Sequence, residues 1–425
     1  MSLTSELGVT EAKQSNLTSW LVCFSASLFF FYEFIQGNMF ASIADNIMRD
    51  FHIHADKMAY LSSIYYGANV IFLFLAGYLL DRYSTKKIIL VAMTLCVAST
   101  FILAHTDSFA WALVCRFITG IGSAFCFLGP VRLASRWFPS HKMAMVTGII
   151  VTIAMTGGMV SQYPLTQLVA YEGWRMALQH VGLLGVVMLG IMYMGIAERA
   201  STYKGCASEH SFKKIAKQSY GNVKTLRAAA YTSLMNMAIA VFGAMMGSLY
   251  LMQRLNIGKE DASLCNMMLF SGCIFGGPII GWISDRWGRR ILPMQISATL
   301  ALVTLLVILY LPVSLGWMQI CFFLLGFLTA GQVISYAYVA ESNSPLFTAT
   351  AVSAISICTQ GGYVIYQNLF SHLLVSYGDA PLVNGVPVYA LSAYQYAAGM
   401  LPLGIFFAIV LISGLKETYC HAMKE

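Results

Sequence analysis

"GYLLDRYSTKK", residues 77–87, returns in altered form as "GWISDRWGRRI", residues 281–291, displaced by 204 positions. The same displacement carries "RDFHIHADK" (49–57) onto "QRLNIGKED" (253–261). It also carries "TIAMTGGMV" (152–160) onto "SICTQGGYV" (356–364), so that Gly157 and Gly158 meet Gly361 and Gly362. Three matches at one displacement describe a chain written twice, with the same elements in the same order in each half.

The solvent of those elements follows from composition. Of the 425 residues, 58% are apolar and 10% charged, and the mean hydropathy is +0.70, the profile of a polytopic membrane protein. A bilayer core about 30 Å thick takes about 20 apolar residues per helix. Twelve such windows are expected, at 18–46, 58–80, 87–105, 109–136, 143–170, 174–197, 227–254, 261–283, 290–311, 316–340, 347–375 and 391–414. The fold class is therefore an all-α integral membrane protein with six helices per half. The expected divisions are an amino-terminal bundle over 1–197, a polar, Lys-rich linker over 198–226 and a carboxy-terminal bundle over 227–425.

Lys and Arg set the expected orientation. With twelve spans both termini share a side, and 19 of the 25 basic residues fall in the loops on that side, against five (Arg49, Lys57, Arg175, Arg254 and Lys259) on the other. Both termini are expected in the cytoplasm, in a cell inner membrane. The same bias explains the net charge of +7, so no nucleic-acid partner is expected. The ten cysteines lie mostly within spans and read as small packing residues. The amino terminus shows no signal-peptide pattern, so the first span is expected to be retained.

Two six-helix halves, a cytoplasmic linker and Gly-x-x-x-Asp-Arg after the second and eighth spans resemble the major facilitator superfamily over nearly the whole chain. Gly281, Asp285, Arg286, Gly288, Arg289 and Arg290 match the family's loop motif, with Ile283 where Leu is usual; the first copy keeps Gly77, Leu79, Asp81, Arg82 and Lys86 but departs at Ser84 and Thr85. The resemblance implies conformational gating by Gly77, Asp81, Arg82, Gly281, Asp285 and Arg286. In physical terms, the glycines would permit close helix approach and the carboxylates would hold an Arg or a helix amino terminus. A narrower resemblance, in "FYEFIQGNMF" and "YYGANVIFLFLAGYLLDRYSTKK", is to the phagosomal nutrient transporters of intracellular bacteria, which import amino acids and, in some members, nucleosides.

Glu33 and Arg116 are charges inside spans. Each costs about 2.5–3.5 kcal/mol at a helix centre unless it meets a partner or a wet cavity, so the pair is expected to share a chamber between the halves. A zwitterion offers a carboxylate to the Arg and an ammonium to the carboxylate, and Glu33 is also the expected proton-coupling site. Arg116 opens "RFITGIGSA", which resembles the family's fourth-span motif, linked there to proton coupling. A fixed ion pair that only joins two helices is the structural alternative.

Polar and aromatic residues at helical spacing complete the expected substrate site: Tyr32, Gln36, Tyr65, Asn69 and Gln162 in the first half, and Gln332, Tyr336, Thr359, Gln360, Tyr363 and Tyr366 in the second. Interhelical hydrogen bonding is the alternative for each. No cofactor and no metal ligand set is expected, and no nucleophile and base are paired as an enzyme needs. The expectation is a monomeric secondary active importer of a small polar nutrient, most simply an amino acid, driven by protons across the bilayer. A multidrug or metabolite exporter on the same fold, and a nutrient receptor that does not transport, are the rival readings. "TGGMVSQYP" lacks the Gly-Pro step of the family's antiporter motif, which weighs against drug efflux.

Overall fold

The computed structural model describes residues 16–138, 143–197, 222–343, 348–377 and 380–420. They form twelve helical rods. Span 1 comprises Asn16–Asn38 and Phe40–Asp50, span 2 Ala55–Arg82, span 3 Thr85–His105, span 4 Phe109–Ser123 and Leu128–Trp137, span 5 Met143–Val160 and Tyr163–Glu172, and span 6 Trp174–Gly195. Span 7 comprises Val223–Met235, a π-helix over Ile239–Met246 and Gly247–Leu255; span 8 is Lys259–Trp287 and span 9 Ile291–Tyr310. Span 10 comprises Leu315–Thr329, a 3-10 turn over Ala330–Val333 and Ile334–Glu341; span 11 is Thr348–Ser376, and span 12 is Leu391–Ala398 with Met400–Ser413.

Among the described residues ten helices are long and apolar enough to cross a membrane by composition. Spans 2 and 11 reach the length, at 28 and 29 residues, but carry polar residues because they face each other across the seam between the halves. There Asn368 donates to the Ser63 hydroxyl at 2.8 Å, and the rings of Tyr66 and Tyr363 lie 4.6 Å apart.

The written repeat is also a packing repeat. Span 1 packs on spans 5 and 6 as span 7 packs on spans 11 and 12; span 2 packs on span 4 as span 8 on span 10; span 3 packs on spans 4 and 6 as span 9 on spans 10 and 12. The result is two six-helix bundles related by pseudo-symmetry. Small residues set the closest crossings. A Cβ on Gly120 would lie 2.3 Å from the Tyr65 carbonyl oxygen, and one on Gly326 would lie 1.9 Å from that of Leu269, so spans 2 and 4, and spans 8 and 10, touch backbone to backbone.

Hydrogen bonds sort the connections onto two sides. On the side away from the termini, the Ala55 amide donates to Tyr389 Oη at 3.1 Å, Arg175 to the Thr106 carbonyl at 2.9 Å and Gln395 to the Leu309 carbonyl at 2.8 Å. On the terminus side, Trp137 donates to the Ala197 carbonyl at 3.2 Å and Arg227 to the Gly414 carbonyl at 3.1 Å. The linker expected over 198–226 lies outside the described residues as far as Gly221.

The two copies of the loop motif end differently. Gly288 adopts φ +60 and closes span 8 in the left-handed region, where a glycine carries no Cβ penalty. Its counterpart Ser84 has φ −55 and caps span 3 instead, its hydroxyl accepting from the Lys87 amide at 3.2 Å. The departure at Ser84 is thus a different helix junction.

Candidate functional site

Of the broken spans, 1, 4, 7 and 10 are interrupted at positions that match between the halves, whereas the breaks in spans 5 and 12 have no counterpart. Span 1 breaks at Met39 and span 4 at 124–127; span 7 widens to the π-helix over Ile239–Met246, and span 10 tightens over Ala330–Val333. Corresponding interruptions in the two halves of a repeated transporter release backbone groups near mid-membrane and point to its binding site. The clue in span 4 was Gly129-Pro130, which falls within the first turn of the second segment, where a missing N–H costs nothing.

Glu33 and Arg116 sit beside these breaks. The Tyr65 hydroxyl donates to Glu33 Oε2 at 3.0 Å, leaving Oε1 without a partner. Arg116 Nη1 donates to the Gln36 carbonyl at 3.0 Å, one turn before the break in span 1. Its guanidinium carbon lies 4.7 Å from the Phe40 ring centre and 4.6 Å from that of Tyr65, while Nε and Nη2 have no partner. Tyr65 therefore joins the two charges, and no direct ion pair is formed between them among the described residues. The expected open chamber is not seen around them: Glu33 is 1% and Arg116 0% exposed. The rings of Tyr65 and Phe40 cover the guanidinium, and Tyr66, bonded to the Gly37 carbonyl at 2.7 Å, separates the pair from Tyr363 of the second half.

Other first-half candidates distribute in two directions. Tyr32 and Gln36 both turn to span 3, meeting Thr100 Oγ1 at 3.0 and 2.9 Å. Asn69 donates to the Ser123 hydroxyl at 2.7 Å just before the break in span 4, with its own Oδ1 unpartnered. Gln162 crosses the seam, donating to the Gly243 carbonyl at 3.0 Å and accepting from Asn266 at 2.7 Å.

In the second half Gln332 pairs reciprocally with Asn236 of span 7, and Tyr366 meets the Ser233 hydroxyl at 2.8 Å. Ser233 and Asn236 were not among the expected site residues. Their place on one face of span 7, three residues apart, was the available signal. Thr359 returns its hydroxyl to the Ile355 carbonyl at 2.8 Å. Tyr336 and Gln360 are half-buried, and the ring of Tyr363 lies tilted against that of Tyr66.

The motif glycines stand in open space in this state. A Cβ on Gly77 or Gly281 would meet nothing within 4 Å, so neither supports a close helix approach here. Both lie toward the terminus side, away from the seam contacts at Ser63, at Gln162 and at Lys259, which bonds Asp45 across the halves at 2.6 Å. Arg286 stacks on Trp282 at 5.4 Å and Arg82 on Tyr78 at 4.5 Å; the side chain of Asp81 lies outside the described ones. The hub of the second motif is Arg290. It binds Asp285 at 2.5 Å and Glu341 at 2.7 Å, while its backbone amide donates to Glu417 at 2.6 Å. Burial works against the charge of Arg290, but the bonds to Glu341 and Asp285 outweigh it and hold the guanidinium above its ordinary pKa. Sequence reasoning did not find Glu341 and Glu417, since nothing in the motif points 50 or more residues downstream.

Three comparisons bear on this architecture. The model of the Major Facilitator Superfamily matches residues 22–365, and again 228–417. The probable galactarate/D-glucarate transporter GudP of Escherichia coli K12 is 22% identical over 433 residues, covering 92% of this chain and 93% of that protein. The probable sulfoacetate transporter SauU of Cupriavidus necator is 24% identical over 178 residues, and that match spans 42% of this chain and 41% of SauU. A bacterial homologue of the human lysosomal transporter Spinster, in an inward-facing and unoccupied conformation, superposes with a TM-score of 0.73 at 16% identity, covering 96% of this chain and 97% of that one; at this identity the likeness is one of fold. Two pseudo-symmetric bundles, interrupted helices at matching positions and the family match across both halves converge: the chain belongs to the Major Facilitator Superfamily.

Proposed function

We propose that the protein is a secondary active importer of a small polar nutrient, an amino acid, coupled to protons and working by alternating access in a cell inner membrane as a monomer. The observation that carries this reading is the buried Glu33–Tyr65–Arg116 group. Fully enclosed charged groups keep unpartnered Oε1, Nε and Nη2 atoms, an arrangement costly in a finished scaffold and useful in a site that a ligand completes. Arg116 would receive a carboxylate through its free edge, Glu33 an ammonium or a proton.

The two bundles, 1–197 and 227–425 with 198–226 between them, would rock about this level. The positive-inside bias places the terminus side in the cytoplasm, so closure at Ser63, Gln162 and Lys259 corresponds to an inward-facing state. Asp285 and Arg286, with Arg290 and Glu341, would hold the cytoplasmic end of the second half in register during the change; Gly77, Asp81 and Arg82 would act in the opposite state, where that side closes. Gln332, Tyr336, Thr359, Gln360, Tyr363 and Tyr366 would shape the side-chain pocket.

A second reading has a specific support. The relatives GudP and SauU are named for sugar diacids and sulfoacetate, and the free edge of Arg116 suits any small carboxylate. Uptake into reconstituted vesicles, with amino acids, nucleosides and sugar acids offered singly under an imposed inward proton gradient, decides between them. Gradient-driven accumulation of an amino acid supports the first reading. Accumulation of sugar acids alone supports the second, and accumulation of none removes both.

A further inference from the structure

The seam holds a second arrangement that the substrate site does not use. Residues Ile239–Met246 of span 7 wind as a π-helix, a form that is rare and found mostly at functional positions because it displaces carbonyls from their regular partners. Three of its carbonyls are taken by side chains of other spans. Gln367 of span 11 donates to the Ala240 oxygen at 3.0 Å. Asn266 of span 8 donates to the Phe242 oxygen at 3.0 Å, and Gln162 of span 5 to the Gly243 oxygen at 3.0 Å. The same two side chains are bonded to each other at 2.7 Å, and both are 0% exposed. Gln162 also reaches the Asn38 carbonyl at 3.4 Å, next to the break in span 1. Gly247 keeps the approach open: a Cβ there would lie 2.3 Å from the Phe242 oxygen and 2.6 Å from Asn266 Oδ1.

Span 5 belongs to the first half, spans 7, 8 and 11 to the second. One of the three side-chain supports of the π-helix, Gln162, therefore comes from across the seam and exists only while this side is closed. We propose that Gln162 and Asn266 form a winding latch: closure holds 239–246 as a π-helix, and parting of the halves withdraws Gln162 and returns the segment to α-helix. This rests on the alternating-access reading above. Rewinding removes one residue from the wide turn and so rotates the chain on one side of it by about 100°. Ser233 and Asn236, which bond Tyr366 and Gln332, lie immediately before the segment. The latch thus ties closure of the far side to the shape of the second-half pocket, and Gln162 is a positioning residue rather than a ligand contact.

Amide hydrogen exchange of the full chain in lipid nanodiscs, without any substrate, reads the latch directly. Gln162→Ala and Asn266→Ala are each expected to speed exchange across 239–247 about tenfold, the effect of one lost buried hydrogen bond, with 290–294 unchanged. Gln167→Ala, which removes an exposed contact to Glu260 between the same spans, is expected to leave 239–247 within about twofold of the parent. Equal rates in all four proteins, or an acceleration spread evenly over both halves, overturn the proposal. A second variant guards against misfolding: in Ser63→Cys/Asn368→Cys the oxidised form is tied shut, and exchange at 239–247 is expected to be slower than in the reduced form, whereas identical rates overturn the latch. Because no substrate enters, failure of every uptake assay leaves this readout standing, and an unresponsive segment leaves the uptake result standing.

Discussion

Tyr65 stands between Glu33 and Arg116, giving its hydroxyl to one at 3.0 Å and its ring face to the other at 4.6 Å. Two opposite charges are thereby held in one buried group without touching, and each retains capacity for a further partner. Tyr65→Phe removes the hydroxyl and keeps the ring. Glu33 then loses the tyrosine hydroxyl as a donor, and a loss of about 1–3 kcal/mol is expected, read as lower thermal stability in detergent together with reduced uptake. Tyr65→Leu, which loses the ring as well, is expected to be worse on both measures; equal behaviour of the two variants would remove the ring from the account.

Arg116→Lys keeps the charge but not the planar group that lies against Phe40 and Tyr65 while reaching the Gln36 carbonyl. The change is not conservative at such a site. Substrate affinity measured by isothermal titration is expected to fall at least as far as about tenfold, from the loss of one charge-assisted bond, and unaltered affinity would count against carboxylate binding there.

On the terminus side, Arg290 and Glu341 have side chains only 10% and 13% exposed and are bonded at 2.7 Å. Glu341→Gln leaves the guanidinium with the Ser284 hydroxyl and, as its carboxylate partner, Asp285, which is itself 69% exposed. A destabilisation of about 2 kcal/mol is expected, seen as earlier unfolding on heating. Asp285→Asn, acting on the exposed partner, is expected to cost less.

The glycines give a paired test. Gly120→Ala would drive a Cβ to 2.3 Å from the Tyr65 carbonyl, separating spans 2 and 4 at the level of the charged group, with an expected cost of about 1–3 kcal/mol. Gly77→Ala and Gly281→Ala meet open space and are expected to leave folding intact. Their uptake then reports on the opposite state alone, in which those faces would close.

Much of this molecule was legible in the chain. The repeat, the rods and the two interior charges follow from composition, displacement and the cost of a charge in hydrocarbon. Other features were not, for a common physical reason: they depend on contacts between segments far apart in sequence. Gln162 and Thr166 lie one turn apart in span 5, but only packing shows that Gln162 crosses to Gly243 and Asn266 while Thr166 turns to Ser42 at 2.9 Å. Tyr32 and Gln36 share the Glu33 helix, yet Thr100 draws both toward span 3. Arg290 looked like one of three equivalent loop cations until Glu341 and Glu417 came to it from the ends of other elements. The π-helix of span 7 has no signature in "IAVFGAMM", which would wind as an ordinary apolar helix on its own.

Uptake by Glu33→Gln tests the central claim most directly. In vesicles with a transported compound on both sides, the variant is expected to exchange label across the membrane at a rate comparable to the parent, yet to gain nothing from an imposed proton gradient that drives accumulation by the parent. Accumulation by Glu33→Gln equal to that of the parent would contradict the account.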